Sequence, residues 1–245
     1  MGSQPLRLTD RRWPAGTLLS CLEPEVRADF LDLGTTIPVR PGDHILREGE
    51  PGDHMVLLRE AVVKVTVSVA DGRQALMAIR VSGDVVGEIS ALNGTLRSAT
   101  VTSCSTGSVS VIYRRDWYPF LNRRPGAALA LARATAARFR WANRRRLDFT
   151  SYPAKVRVAR ILVELAIAHG QPVETGRSVG VTLTQQELAS LCAAAEPTVE
   201  KALRELREAD VLRTGYRHIV VHDMPTLRRF ARMPSGNHQW APGVH

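Results

Sequence analysis

The fifteen residues Gly87-Glu88-Ile89-Ser90-Ala91-Leu92-Asn93-Gly94-Thr95-Leu96-Arg97-Ser98-Ala99-Thr100-Val101 decide how the chain is read. A glycine frees the backbone and a carboxylate follows at once. Nine residues later an arginine precedes a small hydroxyl residue and a β-prone run. This set suits a small anion of the cyclic phosphodiester kind. Arg97 offers a planar fork to exocyclic oxygens, N–H groups at a short helix start face the negative charge, and Glu88 can accept from a ribose hydroxyl. Gly-Glu-Ile alone is common; the whole string, re-entering a strand through Arg97 and Ser98, carries the specificity.

Upstream, short β-prone runs lie between turn residues: Thr36 to Val39, His44 to Leu46, Met55 to Leu58, Ala61 to Val69, Ala75 to Val81 and Val85-Val86. Downstream come Ala99 to Thr102 and Ser108 to Tyr113. The separators include Pro41-Gly42-Asp43, Pro51-Gly52-Asp53, Asp71-Gly72 and Ser82-Gly83-Asp84, so the spacing predicts an antiparallel barrel or roll. Before it, Leu18, Leu19, Leu22, Val26 and Phe30 recur at helical spacing and predict a helix over 16–30. Pro41-Gly42-Asp43-His44 returns as Pro51-Gly52-Asp53-His54. A metal site of the two histidines and two aspartates is the competing reading, but turn chemistry alone accounts for both copies.

Beyond Asp116 the texture becomes helical. Leu129, Ala132, Ala136, Phe139 and Asn143 step by three and four, a heptad seam that two chains could share, with polar Asn143 defining register. Packing of this stripe on the chain's own β domain is the alternative. A further amphipathic helix from Val156 to Leu165 ends at His169-Gly170, where glycine suits a helix C-cap, and 171–180 reads as a polar loop. Thr184-Gln185-Gln186-Glu187 is a capping box. The helix it opens breaks at Cys192 to Ala195, and Pro197 to Leu206 forms a second. Small Ala189 allows a close crossing, with Leu188, Leu191, Val199, Leu203 and Leu206 filling the angle; this is helix-turn-helix spacing. The second helix should present Thr198, Glu200, Lys201 and Arg204 outward, and a following β-hairpin carries Arg213 and Arg217 where a wing would meet phosphates. A helical hairpin with a solvated basic face is the bland alternative.

Charge favours the nucleic-acid reading. The 245-residue chain is 44% hydrophobic with a net charge of +9. Residues 1–122 hold 13 Lys+Arg against 14 Asp+Glu, whereas 123–245 hold 20 against 10, so the whole positive excess sits in the second half. The apolar content excludes a disordered or collagen-like chain, and the most apolar stretch, Ala127 to Ala132, is too short for a membrane span. The first thirteen residues lack a secretory h-region, which places the protein in the cytoplasm. Cys21, Cys104 and Cys192 fit neither a disulfide framework nor a C-x-x-C site. Ser, His and carboxylate residues fall in no hydrolase or zinc pattern, so no enzymatic activity is expected.

Taken in this order, the string at 87–101 and the segment Thr184 to Leu206 resemble the Crp-Fnr superfamily of bacterial transcription regulators over about residues 17–224. The resemblance implies an α+β fold: a cyclic-nucleotide-binding β-roll (17–122), a long dimerisation helix (123–150) and a winged helix-turn-helix (151–234), with a disordered tail at 235–245. It implies that Glu88 bonds the ribose, that Arg97 and Ser98 hold the cyclic phosphate, that Gly87, Ile89 and Ser90 shape the approach, and that Asn143 closes the site. For DNA it implies contacts from Thr184, Gln186, Glu196, Pro197, Thr198, Glu200, Lys201, Arg204 and Arg217. Partners would be double-stranded DNA, a second copy and a cyclic nucleotide such as cAMP or cGMP, with RNA polymerase a further candidate and no iron–sulfur centre. Two departures stand out. Where cAMP-binding members place a Thr-Ser pair against the adenine, this chain has Ala142 and Asn143. In the recognition helix the usual Arg and Glu give way to Glu196 and Pro197, which should alter the operator. A constitutive regulator with a degenerate pocket is the alternative.

Overall fold

The strands are short because a turn residue interrupts each apolar run before it exceeds seven residues. In a computed structural model that describes residues 13–215 and 218–234 they are β1 (Thr35–Val39), β2 (His44–Leu46), β3 (His54–Leu58), β4 (Val63–Ser68), β5 (Gln74–Arg80), β6 (Val85–Val86), β7 (Thr100–Ser103) and β8 (Gly107–Tyr113). They form two four-stranded sheets, β1-β8-β3-β6 and β2-β7-β4-β5. The pairs β1–β8, β3–β8, β3–β6 and β2–β7 are antiparallel: Thr35 faces Val111 across β1 and β8, and Leu58 faces Val109 across β3 and β8. The first Pro-Gly-Asp turn works as its chemistry demands, with Asp43 accepting from the Arg40 amide at 2.8 Å.

The run 16–30 does not form one helix. Pro24 drives the preceding Glu23 to extended backbone (φ −60°, ψ 149°), so α1 (Pro24–Leu31) starts at the proline and only a 3-10 turn, Leu19–Cys21, forms upstream. Leu18, Leu19, Phe30, Met55, Ile112 and Trp117 fill a core that also takes in Phe120 from α3 (Arg114–Arg123). The Phe30 and Phe120 rings meet at 5.6 Å.

Helix α4 (Pro125–Ser151) carries two stripes. Ala127, Ala130, Leu131, Ala134 and Ala137 are buried, and the first three belong to the β-roll core. The predicted seam lies on the other side: Ala132, Ala136 and Asn143 are exposed, Leu129 is 51% exposed and Phe139 67%. The stripe that packs on the chain's own β domain is thus a different one from the heptad seam.

The C-terminal elements are α5 (Ala154–Ala168), β9 (Pro172–Val173), β10 (Gly176–Ser178), α6 (Gln185–Cys192), α7 (Glu196–Glu208), β11 (Leu212–Gly215), β12 (His218–Val221) and α8 (Met224–Phe230), with strands ordered β11-β12-β10-β9. Three expectations change here. The segment 171–180 is not merely a loop, because β9 and β10 pair and extend the wing sheet. Gly170 does not take the left-handed cap conformation; a side chain there would lie 2.3 Å from the carbonyl oxygens of Ala166 and Ser178, so close approach is what requires glycine. Helix α8 is additional, capped by Asp223, which accepts from the Thr226 amide. The expected tail at 235–245 and Arg217 lie outside the described residues.

Among the described residues, contacts define two compact units, the first within 13–63 and 80–137, the second within 64–79, 138–215 and 218–234.

Candidate functional sites: an anion socket and a helix-turn-helix face

Strand β6 ends at Val86, and the next residue, Gly87, has a φ of 77° that lets the chain turn directly into α2 (Glu88–Asn93). The residue that follows the helix by four positions, Arg97, comes back over that turn. Backbone bonds from Gly49 N–H to Arg97 O and from Arg97 N–H to Glu50 O, each 2.9 Å, fix its main chain. Its guanidinium is buried, with the residue only 4% exposed. Nη1 donates to Gly87 O at 2.9 Å and to Ser90 Oγ at 2.7 Å, and Nη2 donates to His54 O at 2.8 Å. Ser90 Oγ in turn donates to Gly87 O at 3.1 Å. All three acceptors are neutral oxygens.

The structure therefore brings together Gly87, Glu88, Ser90 and Arg97, with Glu88 and Ser90 buried. Ser98 and Ile89 are exposed beside them. Asn143 belongs to the other unit and is exposed on α4, as is Ala142.

Burial lowers the affinity of the Arg97 guanidinium for its proton, an effect opposed by the negative fields of Asp53, Glu88 and Glu50. Burial first, and the Arg97 charge second, hold the His54 imidazole below its usual range, with Asp53 pulling the other way across 3.7 Å.

Sequence reasoning missed one wall of this socket. A side chain built on Gly52 would lie 2.2 Å from Arg97 Nη2, and one built on Gly87 would lie 2.7 Å from Nη1. The guanidinium thus lies against two glycines, one of them in the second Pro-Gly-Asp-His copy. The repeat itself was the available signal. Its second copy is not the expected turn, because the chain already turns at Glu48 and Gly49, with the Glu50 amide donating to Arg47 O at 3.3 Å; Pro51 to Asp53 instead runs irregularly into β3 and supplies Gly52 as a flat surface and His54 as a carbonyl acceptor. No group of three or more His, Cys, Asp or Glu residues among the described residues could hold a metal ion.

In the second unit, Thr184 Oγ1 accepts from the Glu187 amide at 3.1 Å, and the Glu187 carboxylate accepts from the Thr184 amide at 2.8 Å, completing the capping box. Helix α6 ends at Ala193, a non-glycine residue in the left-handed region (φ 47°), and α7 begins with Pro197 in its first turn. Leu188, Ala189, Leu191, Val199, Leu203 and Leu206 are all buried at the crossing. Gln186, Glu196, Pro197, Glu200, Lys201 and Arg204 are exposed, while Thr184 and Thr198 are half-buried. Arg207, on the same helix, donates to Thr214 Oγ1 at 3.1 Å and ties α7 to strand β11.

The family model for the cyclic nucleotide-binding domain matches residues 36–124, and that for the Crp-like helix-turn-helix domain matches 156–230. The CRP-like cAMP-activated global transcriptional regulator of Mycobacterium tuberculosis is 31% identical over 195 residues, covering 78% of this chain and 85% of that protein. The cyclic AMP receptor protein of Thermus thermophilus is 27% identical over 191 residues, with the same shares covered. Among solved structures, a CRP-family transcriptional regulator from Thermus thermophilus superposes with a TM-score of 0.69 at 23% identity, over 82% of this chain and all of that one. The c-di-GMP-responsive global regulator of Xanthomonas campestris superposes with a TM-score of 0.70 at 16% identity, over 82% of this chain and 99% of that one. At these identities the superpositions show a shared fold.

Proposed function

Since the chain belongs to the Crp-Fnr superfamily of DNA-binding transcription regulators, with a cyclic nucleotide-binding domain and a Crp-like helix-turn-helix, we propose that it works as a homodimer whose grip on DNA is set by a cyclic nucleotide in the β-roll. The observation that carries this reading is the Arg97 socket. A buried cation bonded only to neutral oxygens lacks a charged acceptor, and a phosphodiester would supply one. Ser98, exposed next to it, would add a hydroxyl to the phosphate, and Glu88 would accept from the ribose. Gly87, Ile89 and Ser90 would shape the entrance. The naming of the mycobacterial relative as cAMP-activated supports the same ligand class.

The exposed stripe Leu129, Ala132, Ala136, Phe139 and Asn143 would pair with its symmetry mate and bring Asn143 to the ligand's base. Ligand binding would favour one register of the helix pair and so re-space two recognition helices toward major grooves about 34 Å apart. Residues 17–122, 123–150 and 151–234 would be effector domain, dimer helix and DNA head. Thr184, Gln186, Glu196, Pro197, Thr198, Glu200, Lys201 and Arg204 would face DNA, with Arg217 in the wing. We assign the protein to the cytoplasm, with RNA polymerase as a further partner and no catalytic role.

Calorimetric titration with cAMP and with cGMP tests this. Heat with either nucleotide that is lost in Arg97→Ala, the dimer remaining folded, is the expected result. Ala142 in place of a hydroxyl residue favours a second reading, a constitutive regulator with a degenerate pocket; neither heat nor a thermal shift with either nucleotide, or with related cyclic nucleotides, would establish it.

A further inference from the structure

Arg157, on the first turn of α5, faces the C-terminal ends of two other helices at once. Its Nη1 donates to Tyr152 O at 2.9 Å and to Phe149 O at 3.4 Å, both at the end of α4. Its Nε donates to Cys192 O at 2.9 Å and its Nη2 to Ala193 O at 2.7 Å, both at the end of α6. The last carbonyls of a helix have no partner within it and carry the negative end of its dipole, so a cation set between two such ends satisfies both. The Phe149 ring covers the guanidinium, its centroid 5.1 Å from the central carbon.

The position of the second contact gives it meaning. Ala193 is the left-handed residue that starts the turn between α6 and α7, and a side chain makes that conformation costly without glycine. Beyond its own backbone bonds to Ala189 and Ser190, the turn is held from outside by this guanidinium. The orientation of the recognition helix follows from that turn, so it is referenced to the end of α4. Neighbouring bonds stiffen the same joint: Arg160 Nε donates to Asp148 on α4 at 2.8 Å, both side chains nearly buried, and Trp141 Nε1 donates to Glu164 on α5 at 3.0 Å.

We propose that Arg157 is a positioning residue for DNA recognition: it ties the helix-turn-helix turn to the last turn of α4, so that the two move as one piece. The inference rests on the helix-turn-helix reading above and adds the element from which its turn takes its orientation. A planar fork is essential, because an ammonium group cannot direct donors along two opposed helix ends.

The test uses the full-length protein, with and without saturating cAMP or cGMP, and two labelled duplexes, one enriched from a random library by the wild-type protein and one of scrambled sequence, with affinities read by anisotropy across a salt series. Arg157→Ala should lower the preference for the enriched duplex at least tenfold, leaving binding to the scrambled duplex within about twofold and its salt slope unchanged, because the cations that meet phosphates are untouched. Arg157→Lys, which retains the charge, should fail to restore that preference, and it serves alone if the alanine variant does not fold. In a background carrying Cys21→Ser and Cys104→Ser, the Arg157 variants should also open the turn enough for a thiol reagent to reach Cys192, which is buried in the parent with its thiol pKa pushed up to about 12. Full preference in both variants with Cys192 still protected, or rescue by lysine, overturns the proposal. If the wild-type protein enriches no sequence, the DNA-recognition reading falls, and the positioning role falls with it; if it enriches one that the variants also prefer, only the role of Arg157 falls.

Discussion

Gly52 shows how much of the anion socket depends on an absent side chain. Gly52→Ala would place a methyl group 2.2 Å from Arg97 Nη2 and must displace a guanidinium that makes three hydrogen bonds. The expected outcome is at least a tenfold loss of cyclic-nucleotide affinity in calorimetry, about 1.4 kcal/mol or more of binding free energy, with the melting temperature lowered by only a few degrees. His54 gives a second expectation at this scale. Its pKa lies below the usual value, held down by burial and by the Arg97 charge, so its neutral form is favoured near pH 7 and protonation requires a lower pH. A bound anion offsets the Arg97 charge that helps to depress it, so binding draws in a proton and affinity should rise as the pH drops below about 6.5. Titrations across pH 5 to 8 should show that rise in the wild type and a flatter profile in His54→Gln. The parts of this site legible in the sequence were those whose own chemistry announces them, Glu88 and Arg97. Gly52 and the His54 carbonyl were not, since a glycine and a backbone oxygen acquire a role only from what folds against them.

At the scale of elements, local patterning located most strands, as β-prone runs between turn residues, and the two helix-turn-helix segments, through a capping box and apolar helical spacing, whereas the heptad seam of α4 marked residues that are exposed in the single chain. Patterning failed where one residue overrides it, as at Pro24, and where pairing is too short to leave a pattern, as in β9 and β10. The buried pair Asp148 and Arg160 lay outside the sequence argument for a similar reason: charge patterning does not reveal which ions lose their water. Arg160 also donates to Ala231 O at 3.1 Å, and Asp148→Ala would take a charged acceptor away from this buried cation. A loss of about 3–5 kcal/mol in denaturant unfolding is expected. The exposed stripe of α4 behaves differently. Phe139 is 67% exposed, so Phe139→Glu should leave single-chain stability within about 0.5 kcal/mol and yet weaken self-association at least tenfold in sedimentation velocity.

For the molecule as a whole, the separation of charge matters more than its total. A near-neutral first half and a second half with 20 Lys+Arg against 10 Asp+Glu confine attraction for DNA to one end of the chain. Duplex binding should therefore weaken steeply with salt. Lys201→Ala with Arg204→Ala should make the slope of log affinity against log salt shallower by about 0.9 for each phosphate contact removed, four such contacts for two symmetry-related heads. Moving the half-sites apart by about half a helical turn should abolish specific binding and preserve the non-specific part. The order of domains was legible because each carries its own local string, at 87–101 and at 184–206.

The twin stripes of α4 have a consequence for synthesis. The alanine-rich stripe is satisfied inside one polypeptide, so a nascent chain can finish that part of its fold before it meets a second copy. On the proposed dimer, pairing would be a mass-action equilibrium governed by copy number, and a cell that makes few molecules would hold more of them as monomers. Expression level would then be an input to the proposed switch alongside the messenger.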